Sequence, residues 1–214
     1  MKRYEMFCFA PGAWLHGHAI EVCTSLLCNT ARCRVVQQDF FRKLVQSTSY
    51  GSDHSNPLYT SDMKQWFKLE AMWLKDKILV VVNVQCSSTV EAPWQTAPGN
   101  HWVLAVVDLK HETFRYYDPL RAHNRERIHN EQMTQCVANV TMWLQSEHDM
   151  PWLASHAQSA DPEFAPVQGN TFDCGVFSTL AAACEALGIP LGTMPWGQQH
   201  ATRIRTQLAA LILT

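Results

Sequence analysis

Cys174 lies in the stretch Gln168-Gly169-Asn170-Thr171-Phe172-Asp173-Cys174-Gly175-Val176-Phe177, where a thiol meets the start of an apolar helical repeat. Val176, Phe177, Leu180, Ala181, Cys184 and Leu187 recur at helical spacing with no charge before Glu185, which predicts a buried helix from about Asp173. A thiol in the first turn of that helix sees the partial positive charge of the N-terminus and several unpaired backbone N–H groups. Both favour thiolate over thiol and so make a nucleophile near neutral pH. Gly175 leaves the approach to the sulfur open, and Gln168, six positions upstream, offers a neutral side-chain N–H to an oxyanion beside it. The same residues also fit a cysteine packed on a core helix, since free cysteines are often buried. A nucleophile needs a base, and the base needs an orienting carboxylate.

Both occur upstream. Trp102 to Leu109 and Thr113 to Asp118 are strand-like runs joined by Lys110-His111-Glu112, which predicts a hairpin. Folding it about its tip brings His101, at the start of the first strand, and Asp118, at the end of the second, to one edge of the sheet. Alone, a strand-edge histidine is usually structural and an Asp before proline a turn former. Together, Asp118 would hold the imidazole tautomer, His101 would take the Cys174 proton, and Gln168 with the Cys174 backbone N–H would receive the oxyanion of an acyl-transfer intermediate. The chain order is His, Asp, Cys; papain-like enzymes run Cys, His, Asn.

The elements that must position these groups follow from pattern. Pro11-Gly12 marks a turn, after which Ile20, Val22, Cys23, Leu26 and Leu27 predict a first helix with Trp14 just before it. Cys23, Cys28 and Cys33, with His16 and His18 nearby, raise a metal site, but no Cys-x-x-Cys pair is present and core cysteines are the better reading. Residues 35–46 and 61–75 predict two more helices, the second capped by Ser61 with Met63, Trp66, Phe67, Met72 and Trp73 inward. Lys77 to Gln85 is β-branched without alternation, which suits a central strand covered on both faces. Residues 86–100 read as a long loop, 131–148 as a helix, 150–166 as a loop, 165–168 as a short edge strand ending at Gln168, and the run from Trp196 as a closing helix. The architecture expected is α+β, a short sheet holding the His-Asp hairpin against the cysteine helix.

At 214 residues and 47% hydrophobic, the chain supports one domain, taken as 1–214. A formal charge of −2 with 17% charged residues gives no field of one sign for nucleic acid or an anionic membrane. Eight cysteines are too sparse for a disulfide scaffold, and Glu5 and Pro11 interrupt any signal-like apolar run after Met1-Lys2-Arg3, so a reducing intracellular compartment is expected. The run Ile78 to Val82 is too short to span a bilayer.

His101-Trp102-Val103-Leu104, Tyr116-Tyr117-Asp118-Pro119-Leu120 and the Gln168 to Phe177 block resemble the signature blocks of the ubiquitin-like-protein proteases, the SUMO-specific (sentrin-specific) cysteine peptidases grouped with the adenoviral protease in clan CE. Trp14-Leu15, Phe40-Phe41-Arg42-Lys43-Leu44 and Arg203-Ile204-Arg205 with Leu208, Leu211 and Ile212 are similar to further segments of that family, so the resemblance spans about Pro11 to Leu213. It implies an adenain-like fold with a short central mixed sheet flanked by helices. It further implies cleavage after the Gly-Gly terminus of a small modifier, in precursors and isopeptide conjugates, through His101, Asp118 and Cys174 with Gln168 as oxyanion donor. Trp14 and Trp102 match the aromatic residues that close a tunnel over the modifier's glycines; stacked indoles select glycine by excluding side chains. No cofactor or metal is expected. The partner implied is a SUMO-type modifier, with the enzyme a monomer in the nucleus or cytoplasm, or in a host cell for a pathogen effector.

Two departures bear on the substrate. The family usually continues Trp-Leu with Asn-Asp, whose acid helps to engage the modifier, whereas this chain has His16-Gly17. Residues 86–100 also form a longer connection into His-Trp than the family's usual one. Three other readings follow: a protease for ubiquitin or another ubiquitin-like modifier, an acetyltransferase effector using a His-acid-Cys relay, and a non-catalytic binding module. The last requires a broken triad, and this one is intact.

Overall fold

The computed structural model describes residues 3–30, 32–36, 75–84, 100–120, 157–159, 165–193 and 195–213. The expected helices over 37–46, 61–74 and 131–148, and the loops over 86–99 and most of 150–166, lie outside the described residues.

The frame is a mixed five-stranded sheet in the order β1-β2-β3-β4-β5. Its strands are β1 (Cys33–Val35), β2 (Lys77–Val84), β3 (His101–Asp108), β4 (Thr113–Tyr117) and β5 (Ala157–Ser159). β1 runs parallel to β2 and β4 parallel to β5, while β2, β3 and β4 pair antiparallel. Every residue of β3 is buried, because that strand has neighbours on both edges and apolar packing on both faces. Leu79 and Val81 of β2 and Trp102, Leu104 and Val106 of β3 join the main core, alternating by two as a pleated strand requires.

Helix α1 (Gly17–Cys28) and helix α2 (Cys174–Leu187) pack on each other and on the sheet, and α3 (Ala201–Leu213) closes over them. α2 is apolar nearly all round, with Val176, Phe177, Ala181, Ala182 and Cys184 buried, so it forms only as part of this core. It ends at Gly188, whose φ of 69° is the left-handed conformation a helix stop requires, with the Ile189 N–H returning to Cys184 O at 2.9 Å.

Several expectations change in the fold. Val35 lies in β1, not in a helix, because a three-residue strand is too short for periodicity to reveal. The strand beside β4 is Ala157–Ser159 rather than 165–168, where Pro166 has no N–H to give and, among the described residues, the Gln168 N–H alone pairs with backbone, at Pro119 O and 2.9 Å. Leu187, expected inward, is 63% exposed beside the helix stop, and Leu26 is also exposed. Lys75 precedes β2 as irregular chain and donates through Nζ to Thr30 O at 2.9 Å.

Candidate active site

Asp118 follows β4 and opens the turn through Pro119 and Leu120. Its Oδ1 accepts the Leu120 N–H at 2.8 Å, the local bond expected of an aspartate at a turn, and the same atom lies 2.7 Å from Nε2 of His101. A carboxylate only accepts, so Nε2 carries the proton and the lone pair of the neutral ring sits on Nδ1. His101 is fully enclosed and Asp118 nearly so. The hairpin expected from sequence therefore delivers its two polar ends to each other, with Leu104 opposite Tyr117 in the register.

Cys174 is the first residue of α2, with Asp173 as N-cap, and is fully buried. One turn on, Ser178 Oγ donates to the backbone oxygen of Trp102 at 3.0 Å, which ties the head of this helix to the residue after His101. Gln168 is held at the other side. Its own N–H pairs with Pro119, next to Asp118, and Tyr117 Oη donates to Pro166 O. The side-chain Nε2 of Gln168 gives one hydrogen to Asn170 O at 2.5 Å and keeps a second, while its buried Oε1 has no hydrogen-bond partner among the described residues.

Of the two tryptophans, Trp102 joins the core cluster with Cys174 and Leu15, whereas Trp14 is 42% exposed at the surface. Gly175 serves packing. A Cβ there would come within 2.9 Å of Ile20 Cδ1 and 3.0 Å of Leu15 Cβ, so the missing side chain admits α1 and the residue after Trp14, not the substrate as read from sequence.

Sequence reasoning missed the braces of the site. Arg205 of α3, 1% exposed, donates from Nε to Asp173 Oδ1 at 2.8 Å and holds a terminal nitrogen 2.7 Å from the same oxygen as an ion pair. It also reaches Phe172 O at 3.0 Å and Cys8 O at 2.9 Å. Asn170 and Gln198 each donate to Asp173 Oδ2 at 2.7 Å. The only hint in the sequence was an arginine placed in an otherwise apolar face of the last helix. Three of the other thiols lie together in the core. Cys23, Cys28 and Cys33 are buried in the core cluster, in accord with the core reading of those residues. Burial, then the neighbouring Cys8, pushes Cys23 up to about 12; burial, then Cys33, Cys184 and Cys23, does the same for Cys28. Thiols so raised are inert at neutral pH.

The family model described as the Ulp1 protease family, C-terminal catalytic domain, matches residues 14–214. Ubiquitin-like-specific protease 1A of Arabidopsis thaliana is 25% identical over 179 residues, covering 79% of this chain and 31% of that protein. The chain thus spans about a third of the length of that curated relative. The X-ray structure of the C-terminal Ulp1 protease domain in complex with Smt3, the yeast ortholog of SUMO, superposes with a TM-score of 0.70 at 20% identity, covering 98% of this chain and 81% of that one. The catalytic domain of the Chaetomium thermophilum Ulp1-like SUMO protease gives 0.61 at 21% identity, covering 94% and 73%. At these identities the likeness establishes a shared α+β fold. Matched by the family model from Trp14 to the last residue, the chain belongs to the Ulp1 protease family of cysteine proteases and carries that family's C-terminal catalytic domain.

Proposed function

We propose that this domain cleaves after the C-terminal Gly-Gly of a SUMO-type modifier, in precursors and isopeptide conjugates, with Cys174, His101 and Asp118 as its triad. The observation that carries the reading is the 2.7 Å bond between His101 Nε2 and Asp118 Oδ1, made on a strand that Ser178 fastens to the Cys174 helix. In this mechanism His101 Nδ1 takes the thiol proton and the sulfur attacks the terminal glycine carbonyl. The oxyanion is received by the Cys174 backbone N–H and the second Nε2 hydrogen of Gln168. The imidazolium then protonates the departing amine, leaving a thioester. Water, deprotonated by His101, attacks that thioester and releases the modifier carboxylate and the thiol. Trp14 and Trp102 flank the path of the diglycine and exclude residues with side chains.

A second reading, a protease for another ubiquitin-like modifier, is favoured by one feature. The pair His16-Gly17 at the start of α1 carries no carboxylate where the family's Trp-Leu is usually followed by Asn-Asp, Gly17 standing in place of the acid. Its proposed place of work is the reducing nucleus or cytoplasm, on the sparse cysteines of the sequence. The test is hydrolysis of modifier C-terminal fluorogenic amides, beside labelling by a panel of modifier propargyl probes. Turnover must vanish in Cys174→Ala with folding retained, and full activity of that variant ends the proposal. The probe that labels the parent identifies the modifier, and acetyl-enzyme formation from acetyl-CoA without any hydrolysis would replace the peptidase reading by acetyl transfer.

A further inference from the structure

Gln198 opens the short 3-10 turn Gln198–His200 that leads into α3. Its Oε1 accepts the Gly169 N–H at 2.7 Å and its Nε2 donates to Asp173 Oδ2 at 2.7 Å. Gly169 is the residue after Gln168, and Asp173 is the residue before Cys174. One planar amide therefore pins both ends of the loop that separates the oxyanion donor from the nucleophile. Inside the loop, Asn170 Oδ1 accepts the N–H groups of Phe172 and Asp173 at 3.2 and 3.0 Å, so the span is braced from within as well.

Asp173 explains why an outside brace is needed. An N-cap aspartate ordinarily bonds its own helix, but this carboxylate makes no such bond; it turns to Arg205, Asn170 and Gln198. A negative charge next to a reacting thiolate opposes it. The donors hold that charge aside and neutralise it, and Gln198 is the one that also reaches back to Gly169.

We infer that Gln198 is a positioning residue for the Cys174 site, setting the separation of Gln168 from the sulfur by clamping Gly169 to Asp173. The inference rests on Cys174 being the nucleophile proposed above. Gln198 is half-buried, so its loss should reach the site more than the fold.

Two variants of the whole chain test it. Gln198→Met keeps the length and apolar stem but loses both bonds. Gln198→Glu keeps an acceptor for Gly169 but sets a carboxylate against Asp173 until it is protonated, when its hydroxyl replaces the lost N–H. The charged groups around this position are Asp173 and Arg205, with His200 nearby accepting the Gly197 N–H at 3.1 Å. Comparison with the parent at each pH cancels their own titration. The rate of Cys174 alkylation by iodoacetamide, read by mass spectrometry, needs no modifier, and kcat, KM and Tm are measured beside it. For Gln198→Met, alkylation and kcat fall about tenfold or more, because small misplacements of reacting groups are costly, while KM stays within about twofold. For Gln198→Glu, activity relative to the parent rises as the pH drops from about 8 to about 6, since a like charge raises a carboxyl pKa. Alkylation and kcat of Gln198→Met within about twofold of the parent overturn the inference, and so does a pH-independent ratio for Gln198→Glu. Should the Met variant not fold, the pH ratio of the Glu variant decides. A parent that alkylates at Cys174 yet cleaves no modifier refutes the proposed function and leaves the alkylation comparison to judge the clamp.

Discussion

Replacing Arg205 by alanine should cost this fold more than any surface charge change. The guanidinium is 1% exposed, pairs with Asp173 Oδ1 at 2.7 Å, and donates to that oxygen at 2.8 Å, to Cys8 O at 2.9 Å and to Phe172 O at 3.0 Å. It joins three distant parts of the chain: the first 3-10 turn (Arg3–Phe9), the loop before Cys174, and the last helix. Among the described residues, alanine leaves the buried Asp173 carboxylate with two amide donors and takes the guanidinium N–H away from the Cys8 and Phe172 carbonyls. Breaking a buried pair in this way costs about 3–5 kcal/mol, a large share of the roughly 5–15 kcal/mol by which domains are stable. At about 2–4 °C per kcal/mol for a chain of this size, Tm should fall by about 10 °C. The Arg32–Asp76 pair is the internal control. Its side chains are 72% and 30% exposed, and Arg32→Ala should shift stability by less than about 1 kcal/mol. The assay is thermal and urea unfolding of both variants, with a cycle of Arg205→Met, Asp173→Asn and the double variant, where a coupling of about 1.5–3 kcal/mol is expected. An Arg205→Ala Tm within about 2 °C of the parent, or a coupling near zero, refutes the reasoning.

Gly175→Ala should lower stability by about 1 kcal/mol: overpacking against Ile20 Cδ1 and Leu15 Cβ at 2.9 and 3.0 Å outweighs the helix propensity alanine brings, and an unchanged or higher Tm would contradict it. Asp108 gives a pH signature. Burial raises its carboxyl, but the side-chain and backbone hydrogen bonds from His111, aided by the charges of His111 and Lys77, together outweigh that and hold it below its ordinary value of 3.8. A carboxyl depressed in the folded state contributes stability that is complete above the unfolded value and disappears as the pH falls through the folded one. The gap in urea midpoint between the parent and His111→Ala should therefore narrow from about pH 6 to about pH 2.5, and a gap that widens toward acid would show the sign to be wrong.

The sequence by itself determined the parts whose cause is local. The helix at Cys174 follows from an uncharged run at helical spacing, and the meeting of His101 with Asp118 follows from the hairpin, because antiparallel pairing must return the second strand's end beside the first strand's start. β2 was equally legible, since a strand buried on both faces must be apolar without alternation. Only the tertiary structure decided what depends on contacts between residues far apart. Nothing near Arg205 in the chain predicts that it will meet Asp173 and Cys8, nor anything near Ser178 that it will bond Trp102. Gly175 carried the opposite meaning until Leu15 and Ile20 were seen packed against it. Periodicity reports which face of an element is buried; it is silent on the partner, and in this domain partners from both ends of the chain hold the loop that carries Gln168 and Cys174.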